Sequence, residues 1–198
     1  MEIKLKVKRI LDFIGSLISL VYFSPVFLLI SILIKIESAG PVFYRQIRVG
    51  KDGHKFEILK FRTLKFGSQE EYEDFEKGLI ESIILRWNDE DQLTEVGKFL
   101  QKSSLDEMPQ LINILKGDMS FIGPRPSLQF EVEHYEEWQK ERLKVKPGMT
   151  GLSQISKKEL NYEDKVRIDI QYANNYSLWL DLKILLLTIP RVLIQGKV

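Results

Sequence analysis

The chain has 198 residues, 44% of them hydrophobic and 29% charged, which is enough for one domain with a real core and too few for two. It has no cysteine, which excludes disulfides, thiolate catalysis and Cys-ligated zinc or iron–sulfur sites and fits a domain facing the cytoplasm. A formal net charge of +1 hides a polarity along the chain: residues 1–65 carry +7, residues 66–101 carry −7 and the rest carry +1, so basic charge surrounds the apolar N-terminal part and points to anionic headgroups or phosphates, not to nucleic acid.

The first element is apolar. From Phe13 to Ile34 there is no charged residue, a run of roughly 22 that as a helix is about 33 Å long and can cross a hydrocarbon core. A buried core helix is a poor alternative, because a chain of this size seldom encloses a helix that is apolar all round, and a cleaved signal peptide is a poor one because the run is too long and lacks a small-residue cleavage site. Its flanks are both basic: Lys4, Lys6, Lys8 and Arg9 precede it, and Lys35, Arg45, Arg48, Lys51 and Lys55 follow. Both ends satisfy the positive-inside tendency only if the segment enters and leaves by one face. Ser24-Pro25, near the middle, supplies the means: proline removes a backbone donor and clashes with the preceding turn, and the Ser24 hydroxyl can serve the freed carbonyl. The expectation is a re-entrant helix-break-helix hairpin over residues 1–39 and a catalytic region over 40–198, with a kinked spanning helix as the alternative.

Gly40-Pro41 then reads as a turn, and Gly50-Lys51-Asp52-Gly53 as a second one that separates Phe43–Val49 from Lys55–Phe61. These two runs predict a small β-hairpin bearing Arg45, Arg48, Lys60 and Arg62. Residues 69–86 are acidic with scattered apolar positions, the pattern of a solvated amphipathic helix. Helices follow between Gly97 and Leu115, interrupted at Ser103-Ser104 and Pro109 and closed by Gly117-Asp118. Gly123-Pro124-Arg125-Pro126 cannot be regular structure, Phe130–Leu143 reads as one amphipathic helix, and Pro147-Gly148 opens a loop that ends near Ser153-Gln154. The last segment, Ser177–Gln195, is rich in Leu and Ile but contains Asp181, Lys183 and Arg191; these charges predict an interfacial amphipathic helix with Trp179 at the headgroups, or packing on the soluble core, instead of a span. The fold class expected is therefore α/β, mainly helical.

The most informative stretch for chemistry is Ser103–Gln110. Ser104 followed by Glu107 matches a capping box, but Pro109 would then fall inside the helix, so the helix is expected to begin later and to leave Asp106 and Glu107 just before its N-terminus, where anions and bound phosphates are favoured. Two adjacent carboxylates can bind a divalent cation that completes its shell with substrate phosphates, and one of them can attack phosphorus. Arg45, Lys60, Arg62 and Arg125 are candidate phosphate contacts; Arg125 between two prolines loses little entropy in making one. His54 and His134 lack the spacing of a metal site or a triad.

These pieces together resemble the monotopic phosphoglycosyl transferases, the bacterial sugar transferases that begin glycan assembly on undecaprenyl phosphate. The resemblance spans nearly the whole chain: Ser24-Pro25 in the apolar run, Gly40–Gln46, Lys60-Phe61-Arg62, Ser104–Gln110, Gly117–Pro126 and Lys146–Gly151, in this order. It implies an α/β catalytic unit on a re-entrant anchor at the cytoplasmic face of the bacterial inner (plasma) membrane. It implies an Asp106-Glu107 dyad in which Asp106 attacks the β-phosphorus of a UDP-sugar, expels UMP and passes the sugar phosphate to a polyprenol phosphate. It also implies magnesium (Mg2+) at Asp106 and Glu107, and a phosphate-binding element ending in Arg125 and Pro126. Where members usually carry arginine five residues before the nucleophile, this chain has Gln101, with Lys102 beside it; where they often continue Trp-Ala-Gln-Val-Asn-Gly-Arg, it has Leu152–Lys158, so that Lys158 keeps a charge without the guanidinium fork. A homodimer is left open. The alternative from another class is a non-catalytic peripheral membrane scaffold, which accounts for the anchor and for contact with membrane lipids but gives no reason for adjacent acids beside a Pro-Arg-Pro loop.

Overall fold

The computed structural model describes residues 2–65, 92–156 and 160–195; the acidic helix expected over 69–86 and the Lys157-Lys158 pair lie outside the described residues. Among these the chain is mostly helical. Helix α1 spans Glu2–Glu37, and the hairpin strands β1 (Phe43–Val49) and β2 (Lys55–Phe61) follow. Then come α2 (Glu95–Ser103), a 3-10 turn over Leu105–Glu107, α3 (Gln110–Lys116), β3 (Ser120–Ile122), β4 (Ser127–Leu128), α4 (Gln129–Glu133), β5 (Gly148–Thr150), α5 (Tyr162–Asn174) and α6 (Leu178–Gln195). β1 is the middle strand of an antiparallel sheet ordered β2-β1-β4, and β3 pairs with β5 in parallel.

The hairpin has the boundaries the turn residues predict. Its tip at Asp52 and Gly53 is left-handed, with φ of 55° and 80°, a conformation open to Asp and Gly at little cost. Phe56 and Ile58 face α3 and form a core with Leu111, Ile114 and Met119. The other edge of β2 is closed by Asn113, whose side chain accepts from the Leu59 amide at 3.0 Å and donates to the Glu57 carbonyl at 2.6 Å. That residue gives an unpaired strand edge the partners it needs.

α1 is the one described helix long and apolar enough to cross a membrane. Its helical pattern runs through Pro25, so the expected break is not an interruption of the helix. The reason is local: Pro25 has no N–H for the Val21 carbonyl, and the Ser24 hydroxyl donates to that carbonyl at 2.8 Å. Both arms of α1 pack on the rest of the described chain. On the N-terminal arm, Arg9 donates to the carbonyls of Ile114 and Leu115 at the end of α3 (2.6 and 2.8 Å), and Asp12 accepts from the Ser120 hydroxyl and the Phe121 amide, both at 3.1 Å. On the C-terminal arm, Ile30 and Ile34 join Phe61, Leu100 and Met108 in a second core. Residues 21–26 between the arms are exposed, Tyr22 at 75%. α1 therefore shares its cores with the hairpin, α2 and α3.

One expectation is corrected, and one element was not anticipated. Phe130–Leu143 is not one helix: the chain leaves α4 at His134, whose ring bonds the Phe130 carbonyl, and a 3-10 stretch resumes only at Gln139–Lys144. The Gln139 side chain takes the Glu136 amide at 2.8 Å, so local side chain–backbone bonds replace the helical ones. The helix α5 went unread in the sequence, although Asn161 caps it through the Asp164 amide and Val166, Asp169, Tyr172 and Ala173 form its buried stripe. α6 follows the predicted Ser177–Gln195 segment. Ile184 is buried with Ile122 and Tyr172, while Trp179, Leu182, Leu185, Leu186 and Ile189 are exposed.

Candidate active site

The alternation of β2 delivers a lysine to the acidic pair. Phe56 and Ile58 point at α3, so Lys60 does too, two residues further on. Its Nζ donates to Glu107 Oε1 at 2.6 Å and lies 4.0 Å from Asp106 Oδ2. The acids occupy the 3-10 turn between α2 and α3. Ser104 ends α2 in the left-handed region at φ 58°, and Glu107 returns its amide to the Ser104 carbonyl. Pro109 precedes α3 and Gln110 starts it, which is the later start that proline demands. Asp106 is buried at 6% exposure, whereas the Glu107 side chain keeps 31%. An acid held in a tight turn beside an ammonium, with its neighbour open to solvent, can present one oxygen to an incoming phosphate while the lysine offsets charge.

Arg125 and Pro126 stand in the loop between β3 and β4, at a cavity of about 490 Å3 also lined by Arg48, Glu131, Gln154 and Asp169. Arg125 is exposed. Arg48 lines this cavity and lies within electrostatic reach of Glu107. Its side chain shares the β1 face of Tyr44, opposite Phe56, and its guanidinium feels the charges of Arg125, Glu131 and Glu107. Burial first, and then Arg125, lower it to about 10, against the pull of Glu131, Tyr44 and Glu107. It remains a cation at neutral pH.

Of the predicted site residues, Asp106, Glu107 and Lys60 are together, while Arg125 and Pro126 line a cavity to which none of those three contributes. Arg45 is not with them. It pairs across from Leu59 on the other face of the hairpin and lies 3.6 Å from Glu57, with more than half its side chain exposed. Arg62, expected as a phosphate contact, is buried at the exit from α1. At 2% exposure its guanidinium donates to the carbonyls of Pro41 (2.7 Å), Ala39 (2.5 Å) and Ser38 (2.9 Å) and to the Ser38 hydroxyl (2.7 Å). These bonds tie the chain leaving α1 to the end of β2. Lys158 lies outside the described residues. Gln101, at the position of the expected arginine, donates its amide to the Thr63 hydroxyl at 3.1 Å, and Lys102 is exposed. Ser24 and Pro25 lie in the exposed middle of α1.

For a metal, the described residues contain no group of three or more acidic, His or Cys side chains able to hold one. Asp106 and Glu107 offer oxygen donors only, a set that suits a hard cation completing its shell with substrate phosphates and water. Sequence reasoning gave Arg48 no site role, although its place on the Tyr44 face follows from the hairpin register. It also missed Arg142 and Asp169, a buried pair 27 residues apart in sequence with Nη2–Oδ2 of 2.5 Å, for which no local signal exists. Burial, the leading influence, raises the Asp169 carboxyl above the ordinary range despite Arg142.

A family model described as bacterial sugar transferase matches residues 3–195. The chain is 41% identical over 192 residues to the exopolysaccharide production protein ExoY of Rhizobium meliloti (strain 1021), covering 93% of this chain and 84% of that protein. It is 37% identical over 195 residues to a UDP-glucose:undecaprenyl-phosphate glucose-1-phosphate transferase of Caulobacter vibrioides, covering 94% and 69%. It is 38% identical over 190 residues to the galactosyl transferase CpsE of Streptococcus agalactiae serotype III, but spans only 42% of that protein's length. On a match of this extent, the chain belongs to the bacterial sugar transferase family.

Proposed function

We propose that the protein transfers a sugar-1-phosphate from a UDP-sugar to a polyprenol phosphate, undecaprenyl phosphate in bacteria, through a covalent intermediate on Asp106. Relatives carry names of this reaction, UDP-glucose:undecaprenyl-phosphate glucose-1-phosphate transferase among them, and the observation that carries the reading is the buried Asp106 beside Lys60 and Glu107. An Asp106 carboxylate oxygen attacks the β-phosphorus and forms a P–O bond. The bond from that phosphorus to the bridging oxygen breaks, and UMP leaves with the oxygen. An oxygen of the polyprenol phosphate then attacks the same phosphorus, breaks the aspartyl bond and regenerates the carboxylate. Neither displacement needs an external oxidant or reductant.

Lys60 lowers the repulsion between dyad and diphosphate, and Arg125, with Pro126 fixing the chain beside it, contacts phosphate oxygens. Asp106 and Glu107 would hold magnesium, which supplies charge neutralisation on the diphosphate and the leaving group; titration with a chelator, with UMP release returning on added magnesium, checks that assignment. Release of UMP from a panel of UDP-sugars, with undecaprenyl phosphate and magnesium, tests the activity. One sugar is expected to support it and Asp106→Asn to abolish it; no release with any sugar favours the membrane scaffold.

The same proposal places the site on the cytoplasmic face, with α1 dipping into one leaflet. Support comes from its basic flanks, from the two arms packed on one region and from the exposed residues 21–26 between them. Single cysteines at positions 4 and 51 are expected to react with a membrane-impermeant reagent from the cytoplasmic side alone, and labelling from opposite sides would establish a spanning helix.

A further inference from the structure

The loop carrying Arg125 cannot hold itself. Pro124 and Pro126 have no N–H to donate, so the direction of the arginine between them depends on Asp169, which accepts the Arg125 amide, and on what grips the loop's carbonyls. Three successive carbonyls are taken by donors from three different parts of the chain: Pro124 by the Gly148 amide at 2.9 Å, Arg125 by Arg142 Nη2 at 3.2 Å, and Pro126 by Arg48 Nη1 at 3.1 Å. Behind them the Tyr135 hydroxyl accepts from Arg142 Nη1 at 2.8 Å and donates to the Ser127 hydroxyl at 2.9 Å, while Asp169 holds the same guanidinium. Tyr135, Arg142, Asp169 and Ser127 are all buried. Only the Arg125 side chain is left exposed.

We propose that Arg142, fixed by Asp169 and Tyr135 and assisted by Arg48, is a positioning residue that sets the direction of Arg125 by clamping the loop carbonyls. The clamp has an electrostatic consequence as well. A carbonyl oxygen facing a diphosphate repels it, and each of these three is occupied by a donor within the protein. The anion therefore meets the guanidinium of Arg125 and not the negative ends of the peptide dipoles around it. The geometry also gives a role to a buried ion pair that is remote in sequence, since a buried charged pair is weak evidence of stabilisation in itself.

The inference rests on the reading of Arg125 as a contact to the donor phosphates, so its test separates the two. Arg142→Met/Asp169→Leu removes both buried charges together, and Tyr135→Phe removes one hydroxyl and serves should the double variant fold poorly. Each is measured with the full chain in detergent, alone and combined with Arg125→Ala. The KM for the UDP-sugar is expected to rise about tenfold in the double variant, the equivalent of one charge-assisted hydrogen bond, and less in Tyr135→Phe, with the KM for undecaprenyl phosphate unchanged. In the Arg125→Ala background the same substitutions are expected to change the donor KM by less than about twofold, because a residue that acts through Arg125 has nothing left to act through. Equal fold-changes in both backgrounds overturn the clamp. A readout independent of turnover is hydrogen exchange at the Ser127 amide, which the clamp predicts to quicken in both variants even if no UDP-sugar is a substrate; the Arg125 amide donates to Asp169 and is informative in Tyr135→Phe alone. Unchanged exchange sinks the clamp, whereas quickened exchange without turnover with any donor sinks only the transferase reading.

Discussion

Substituting Lys60 by methionine removes the cation beside the dyad while keeping most of the side-chain volume in the core wall formed by Phe56 and Ile58. The ammonium lies 4.0 Å from Asp106 and 2.6 Å from Glu107, and only 11% of its side chain is exposed. At an effective dielectric constant of about 20, a charge pair at that longer distance is worth about 4 kcal/mol, and the charge-assisted bond to Glu107 contributes on the order of 1.5–3 kcal/mol. In the proposed reaction the donor diphosphate would bring further negative charge to the same place, so about 3 kcal/mol of the combined effect is expected to fall on the transfer step, lowering kcat/KM on the order of 100-fold. The assay is UMP release from the active UDP-sugar in detergent micelles, with Lys60→Arg as the charge-preserving control that recovers part of the rate. A value within twofold of wild type for Lys60→Met would refute the assignment of Lys60 as the cation that offsets charge at the dyad.

Arg62→Met is expected to lower unfolding stability on the order of 3 kcal/mol, because it strands carbonyls of Ser38, Ala39 and Pro41 that the guanidinium now satisfies; the donor KM of the folded fraction should stay within twofold, and a raised KM at unchanged stability would restore Arg62 as a phosphate contact. A pH series tests Asp181, whose carboxyl burial raises above the ordinary range against the opposing pull of Lys8 at 2.6 Å. The folded state then binds the proton more tightly than the unfolded one, so the stability this group contributes is present below about pH 3.9 and is lost as pH rises through the raised value. The stability of wild type minus that of Asp181→Asn, measured by denaturant unfolding in detergent from pH 4 to pH 7, should fall with rising pH, and a difference that grows contradicts the burial argument.

Much of this arrangement is legible in the sequence where the signal is local. Gly50 and Gly53 bracket the hairpin turn, Pro109 forces α3 to start after the acids, and Ser24 sits where it can serve the carbonyl that Pro25 orphans. Lys60 is legible as a site residue through strand alternation, once Phe56 and Ile58 are recognised as the buried face. Arg45 and Arg62 show the limit of reading charge alone. Both are basic residues of the hairpin, but one lies on the far face and the other is consumed by the exit from α1, and neither fact follows without the pairing register and the path of the chain before Pro41. The short parallel pair β3–β5 was illegible because its partners are three-residue strands separated by the whole cavity loop. There Gly123 and Gly148 approach so closely that a Cβ on Gly148 would stand 2.1 Å from the Gly123 nitrogen. Arg142 was equally hidden, since the long helix expected across Phe130–Leu143 would have treated it as a solvent-facing charge.

The central claim is that Asp106 becomes the covalent carrier of the sugar phosphate, and intact-protein mass measurement after rapid mixing with the active UDP-sugar, in the absence of lipid acceptor, tests it most directly. The account predicts a mass increase equal to one sugar phosphate, absent in Asp106→Asn and discharged when undecaprenyl phosphate is added. An unmodified mass under conditions in which UMP release nonetheless proceeds once acceptor is present would contradict it, and would assign the reaction to a single direct displacement between two bound substrates.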